Sequence, residues 1–385
     1  MRRTVKDLNR REVLSALSFL ISGAAVAKSQ MLGKAISISP DIPGVPISMQ
    51  IVGGTSATNP FGWASAVKTG HPMLVTYGDG SSVDNTNSPN HNYPTSALYT
   101  LALNASDGWK GVSEFNFSGP QGSGTSAYTG PPAGASTPPP KYPVPMPSIS
   151  AMVNLEKLKS CDTWWSGAYP DTDLGIFPNL AYLDLQGNSF STPPQFSNNS
   201  KLTYCEMHFA FNGAVPLPDM STCLNLSHFS VPENTFTTFP SFAACVKLAS
   251  FSAALFVSTV TIPSFSACTL LETWGAGGDY VTGTVPDFSP CTLLTSWTLS
   301  PHACTDVTAG SFATQKNLAS LSFYYGSLTS SAVNKVLADC VASLSLPGRV
   351  ACTVSLHGHF NAAPTGQGIT DKATLIAAGW TVTTD

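Results

Sequence analysis

Leu180-Ala181-Tyr182-Leu183-Asp184-Leu185-Gln186-Gly187-Asn188 decides how the rest of the chain is read. Its leucines are spaced first by three residues and then by two, and a glycine and an asparagine close the run. The final alternation has the period of a strand, so the stretch predicts one short strand with Tyr182 and Asp184 on the face away from the leucines. The pattern returns as Leu202, Cys205, Met207, as Leu226, Phe229, Val231, and as Leu318, Leu321, Phe323. Around it, Phe196, Met220, Phe242, Phe265, Phe288 and Phe312 recur every 22 to 24 residues. Leu202, Leu226, Leu248, Leu271, Leu294 and Leu318 keep the same step. Two sets in phase at a fixed offset define a structural repeat running from Leu155 to about Leu356.

Several units end in a turn and a proline, as in Phe211-Asn-Gly213-Ala-Val215-Pro216 and Val281-Thr-Gly283-Thr-Val285-Pro286, and more loosely in Phe239-Pro240 and Ile262-Pro263. With Asn188, these features resemble the leucine-rich repeat family, in the variety where a Gly-x-Ile-Pro-like turn follows the strand. Ala254 and Gly277 stand where asparagine is expected and predict less regular turns there. The resemblance covers roughly half the chain and implies a mostly β solenoid with short helical or 3-10 turns. One unit cannot bury its own leucines, whereas strands stacked about 4.8 Å apart build a continuous core. Lys335 to Leu344 reads as a helix and Val350 to Leu356 as a last strand. The tail from Asn361 to Thr384 is similar to the closing cap of bacterial and phage proteins of this repeat class.

All nine cysteines lie in this half. Cys223, Cys245, Cys268 and Cys291 share one repeat position, three residues before the repeat leucine. Identical positions on successive rungs point in parallel about 4.8 Å apart, beyond the usual ~3.5 to 4.5 Å between the Cβ atoms of a disulfide. Free buried thiols are therefore expected, with Cys340 and Cys352 the pair to consider if a bridge exists.

Ahead of the repeats, residues 1–27 combine a basic start, an apolar run from Val13 and an Ala25-Val-Ala27 close, the form of an export signal. Arg10-Arg11 followed by Glu12, Val13 and Leu14 resembles a twin-arginine signal; an ordinary secretory signal or an uncleaved anchor is the alternative. Taking five basic and two acidic residues away with it leaves 13 Lys+Arg against 20 Asp+Glu, a net charge of −7. No basic stripe is left for phosphates, so nucleic acid is not an expected partner, and no second apolar run is long enough to span a bilayer. Residues 47–119 resemble the PKD-like β-sandwich family through Tyr77-Gly78-Asp79-Gly80, His91-Asn-Tyr93 and Tyr99-Thr-Leu101. That family's usual aspartate is here Thr76, and its glycine is Ala97 or Leu98. Asp79 alone cannot cage a hard cation, so a tight turn is expected. Residues 120–147, Gly/Ser-rich and then Pro-rich, form a semi-rigid spacer, and 148–385 are assigned to the solenoid with its cap.

The chain offers no Gly-x-Ser-x-Gly elbow, no His-Glu-x-x-His and no Walker loop. His357-Gly-His359 lacks a third ligand, so no catalytic, metal or cofactor residue is assigned. Function is expected on the outward strand face: Tyr182, Asp184, Tyr204, Glu206, His208 and His228 early, then Ser250, Ser252, Thr273, Ser296, Thr298, Ser320 and Tyr324. The early rungs carry aromatic and acidic groups suited to a binding hot spot, while the later hydroxyls suit a flat or carbohydrate-like surface. The expectation is a monomeric, exported, non-enzymatic binding protein of the bacterial surface or secreted space, with a protein or carbohydrate ligand. A virion protein for host attachment and a hydrolase using the repeats to select substrate are the alternatives.

Overall fold

Phe242-Ala-Ala-Cys245-Val-Lys-Leu248 shows how one rung is made. The Cys245 N–H donates to Phe242 O and the Leu248 N–H to Cys245 O, each at 2.9 Å. Bonds closing three residues back give three residues per turn, so Phe242, Cys245 and Leu248 line up on one side. That side faces inward, and all three are fully buried. The same paired turns build Met220/Cys223/Leu226, Phe265/Cys268/Leu271 and Phe288/Cys291/Leu294. Leu226, Leu248, Leu271 and Leu294 form one interior column, each with no exposed surface.

The computed structural model describes the strands Ile47–Val52, Trp63–Ala64, Met73–Thr76, Ser82–Asn85 and Leu98–Ala105, and then residues 112–118, 144–146, 148–161, 165–208, 210–253, 256–300, 302–358 and 360–385. After each paired turn the chain runs into one strand of a single sheet. Its parallel members are β1 (Glu114–Ser118), β2 (Lys157–Cys161), β3 (Tyr182–Asp184), β4 (Tyr204–Glu206), β5 (His228–Val231), β6 (Ser250–Ala253), β7 (Thr273–Ala276), β8 (Ser296–Leu299), β9 (Ser320–Phe323), β10 (Thr353–Leu356) and β11 (Thr381–Thr384). Trp63–Ala64 pairs antiparallel with β1 and makes the twelfth strand. Further parallel strands form a second, three-stranded sheet of Val260–Thr261, Val281–Val285 and Ala303–Val307.

Two aromatic columns fill the middle of the core. Phe229, Phe251, Trp274 and Trp297 come from the strands, with successive ring centroids 5.8, 6.0 and 4.8 Å apart and planes within 19°. Phe242, Phe265, Phe288 and Phe312 come from the turns and stack likewise at 5.7, 5.9 and 6.3 Å. Between columns the rings meet edge to face: Phe251 on Phe265 at 5.1 Å, Trp274 on Phe288 at 5.4 Å, Trp297 on Phe312 at 5.3 Å. Both arrangements suit the ring quadrupole, positive at the edge and negative on the face.

Hydrogen bonds between rungs lock the register. The thiols of Cys245, Cys268 and Cys291 donate to Met220 O, Phe242 O and Phe265 O of the preceding rung at 3.4 to 3.5 Å. The same position holds Asn199 before these cysteines and Gln315 after them, donating to Leu174 O at 2.9 Å and Phe288 O at 2.8 Å. The column is thus a set of donors to the previous rung, and thiol and amide serve alike. The eight cysteines whose side chains are described are free and buried, Cys340 and Cys352 included. Burial pushes the Cys245 and Cys291 thiols up to about 12 and Cys268 to about 11. A neutral, enclosed thiol does not attack electrophiles. Native protein treated with iodoacetamide at pH 8 is therefore expected to leave these eight unmodified by mass spectrometry, with all reacting once denaturant is added; alkylation of Cys245 or Cys268 without denaturant would contradict a closed column.

Beyond the strands a second set of side chains ties rungs together. Asn188 donates to Ser160 O at 2.7 Å and Leu185 O at 2.8 Å, and Asn234 to Met207 O at 2.6 Å and Val231 O at 3.1 Å. Each lies three residues after a buried apolar residue at the strand's end, Leu185 and Val231 respectively. At that place after Leu299 stands His302, whose Nδ1 accepts from the Cys304 N–H at 3.1 Å. Its Nε2 is buried without a hydrogen-bond partner. The next rung carries Gly326 there, where a Cβ would lie 1.9 Å from that nitrogen, so the glycine makes room for the imidazole.

The ends correct several sequence expectations. Helix α1 spans Ser330–Ser343, starting one turn earlier than read, with the Thr329 hydroxyl accepting from the Ala332 N–H. Its buried Asp339 accepts from the Gly310 and Phe312 N–H groups at 2.8 and 3.1 Å. β10 is not the last strand, because the tail folds into α2 (Gln367–Ala377) and β11. At the other end, β1 lies in the segment read as sandwich, yet it pairs in parallel with β2 from Glu114↔Lys157 to Ser118↔Cys161. Val144–Pro145, read as spacer, pairs with Trp165–Gly167. The stack therefore begins before the proline-rich stretch. Within the segment read as a sandwich, Ile47–Val52, Leu98–Ala105, Met73–Thr76 and Ser82–Asn85 form one antiparallel sheet in that order. The Gly78-Asp79-Gly80 segment, His91, Tyr93, Pro131, Pro132, Pro138, Pro139 and Pro140 of the segment read as spacer, and residues 1–27, read as an export signal, lie outside the described residues.

Candidate recognition face

Alternation along each strand sends one residue in and the next out, and in-register parallel pairing turns the outward residues into rows. One row runs Lys157, Tyr182, Tyr204, His228, Ser250, Thr273, Ser296, Ser320, Thr353, Thr381. The neighbouring row runs Lys159, Asp184, Glu206, Ser230, Ser252, Gly275, Thr298, Ser322, Ser355, Thr383. The face predicted from sequence is thus one continuous surface, chemically divided in two.

In its first part the rings stack. Tyr182 and Tyr204 are parallel with centroids 4.4 Å apart, and Tyr204 and His228 lie 4.4 Å apart at 8°. Lys157 and Lys159 approach the Tyr182 ring at 5.2 and 5.6 Å from its centroid. Because the rings and ammonium groups cover one another, the stack offers ring edges and phenol oxygens to a partner. The Tyr204 hydroxyl donates to the Glu206 carboxylate. Burial and that carboxylate push the Tyr204 phenol well up, so it stays protonated, and burial lowers His228.

Two predicted contact residues are placed differently from expectation. Asp184 is 3% exposed, lying 3.9 Å from Lys159 Nζ and accepting from the Gln186 N–H at 3.3 Å, so it holds Lys159 and the turn and is not an exposed contact. His208 lies beyond the end of β4, half-buried, with Nε2 3.4 Å from Glu233. Ser250, Ser252, Thr273, Ser296, Thr298 and Ser320 are half-exposed, and Thr273 donates to Ser250 at 2.9 Å. Tyr324 follows β9 at a cavity shared with Tyr325 and His357. Sequence reading passed over Lys157 and Lys159, whose two-residue spacing ahead of Leu180 was the available signal. Among the described residues, no group of three His, Cys, Asp or Glu is placed to hold a metal ion, and no helix is long and apolar enough to cross a membrane.

A parallel sheet of one strand per rung over inward leucine columns defines a leucine-rich β-solenoid. The sequence matches no family model and no curated relative. Among solved structures it is similar to the PEPR1–AtPEP1 complex, with 14% identity over 58% of this chain and 34% of that one, TM-score 0.42. It is also similar to a leucine-rich repeat protein of Leptospira interrogans (14% identity, 58% and 65% of the chains, TM-score 0.36). A third is an internalin of Listeria monocytogenes (14% identity, 61% and 82%, TM-score 0.28). The chain thus spans about a third of the first structure's length and just under two thirds of the second's.

Proposed function

We propose that this chain is an exported, non-enzymatic recognition protein that holds a protein partner on the first rungs of its strand face. The observation carrying this is the stacked Tyr182–Tyr204–His228 row beside Glu206. It is a stiff, half-exposed surface of ring edges and hydrogen-bonding groups, set on a rigid sheet rather than on loops. A sugar ring packs on an aromatic face, and in this row the faces are already covered, which favours a polypeptide over a glycan. The export signal and PKD-like module in front belong to the same reading, which places the protein at a bacterial surface or in the secreted space.

A photo-crosslinking residue at Tyr204 in the mature protein is expected to give one dominant adduct with protein material from the producing organism's surroundings. The same residue at Ser197, on a turn away from the strands, is expected to give none. The adduct should disappear when His228→Ala and Glu206→Ala are added to the Tyr204 probe. Equal labelling from Ser197, or an adduct indifferent to those changes, sinks the assignment of the face.

A further inference from the structure

The last rungs differ from the others in being joined by helices, β9–α1–β10–α2–β11, and the carboxyl ends of these parallel strands open on one cavity of about 480 Å³. Tyr324, Tyr325, His357, Gly358, Asn361 and Asp385 line it. We propose that this cavity binds an organic cation with an alkylammonium head group, against the rings of Tyr324, Tyr325 and His357 with the Asp385 carboxylate as counter-charge. The proposal concerns a site separate from the stacked row and does not rest on the reading of that row.

Three aromatic rings meet here at steep angles. The Tyr324 and Tyr325 centroids are 4.0 Å apart with planes at 64°, and Tyr324 and His357 are 4.8 Å apart at 65°. Rings at such angles form a corner, unlike the parallel Tyr182 row, whose faces are used up by stacking. The face of an aromatic ring attracts a cation, and several rings around one point make a cage. Asp385 adds charge: its two carboxylate oxygens accept from the Gly358 N–H at 3.2 and 3.1 Å. No Lys or Arg lines the cavity to neutralise it. Lys372 bonds to the Thr384 hydroxyl at 2.8 Å, while Thr383, on the alternate face of β11, bonds to His357.

The backbone is bent to build this corner. Tyr325 has φ 52°, one of two non-glycine residues with positive φ among those described, and its carbonyl accepts from the His302 N–H at 3.3 Å. Gly358 has φ 125°, and a Cβ there would lie 2.8 Å from Tyr325 N, so only glycine lets the two loops close together. A strained tyrosine held by its surroundings is a mark of a functional site. His357 is oriented too, its Nδ1 3.0 Å from both the Ser355 and Thr383 hydroxyls.

The test titrates the full chain at pH 8 with choline, with Nα-acetyl-lysine methylamide and with 3,3-dimethylbutanol, the uncharged isostere of choline, following tyrosine fluorescence and NMR shifts. At least one of the two cations is expected to saturate, about tenfold or more tighter than the alcohol. Tighter choline binding points to a free quaternary ammonium compound, and tighter lysine binding to a side chain of a peptide. Tyr325→Asn, which tolerates the left-handed backbone, should abolish binding; Asp385→Asn should weaken it several-fold and Tyr324→Phe should preserve it. Equal binding of the alcohol, no saturation by either cation, or full binding by Tyr325→Asn would overturn the proposal. Asp385→Asn and Tyr324→Phe keep the test decisive if Tyr325→Asn does not fold.

Discussion

Trp297→Ala is expected to cost about 3 to 5 kcal/mol of stability, the range for removing a large buried aromatic side chain. Trp297 has no exposed surface and touches both core columns. It stacks on Trp274 at 4.8 Å and 12°, and meets Phe288 at 5.7 Å, Phe312 at 5.3 Å and Phe323 at 4.4 Å. In a quasi-one-dimensional array each rung is held by its neighbours, so the damage concentrates at the contacts between β7, β8 and β9. Calorimetry should then show the single transition splitting, with the helix-bearing end separating from the earlier rungs. Trp297→Phe should cost much less, because the indole N–H is buried without an acceptor and its removal recovers part of a penalty of about 1 to 3 kcal/mol. A loss below about 1 kcal/mol for Trp297→Ala would show that the columns are not packed as described.

The second large effect is on pH dependence. Burial lowers His302 to about 4 from its ordinary 6.5, and the Cys304 N–H donated to Nδ1 also favours the neutral ring. Above pH 6.5 neither folded nor unfolded chain binds this proton. Between 6.5 and 4 only the unfolded chain takes it up, so stability falls with acidification across that window and levels off below about 4. The total is about 3 kcal/mol, from 1.36 kcal/mol per unit of difference. Asp171 and Asp339, raised by burial, act in the opposite direction, so the comparison has to be between variants. His302→Asn puts at this place the residue that Asn188 and Asn234 carry in other rungs, and should remove the His302 share of the loss. Urea midpoints at pH 7.5 and 4.5 measure it; parallel acid losses in His302→Asn and the parent would refute the assignment.

The repeat was legible because burial acts identically on every rung. A leucine that must face inward each time leaves a column in the sequence, and Leu226 to Leu294 could be read as one. What escaped reading has a physical cause in each case. β1 pairs with β2, but the proline-rich stretch between them breaks the step that periodicity needs. Asn199 and Gln315 belong to the cysteine column, yet their shared property, donation to the preceding rung, is hidden by the difference in residue type. Alternation along β3 gives Asp184 a direction but not its cover, and Lys159 from the rung before closes over it. The cavity at Tyr324 draws on three separate strand ends, a convergence that no local pattern announces.

The sheet's backbone bonds all run from one strand to the next, along the axis of the stack. A pull applied between the two ends therefore loads these bonds together within a rung but in series along the molecule. The weakest junction yields first, and each rung between β3 and β9 that peels away releases 22 to 24 residues, about 80 Å of slack, before the next is strained. Tethered between two surfaces, such a chain would lengthen in steps and shed tension instead of breaking at once.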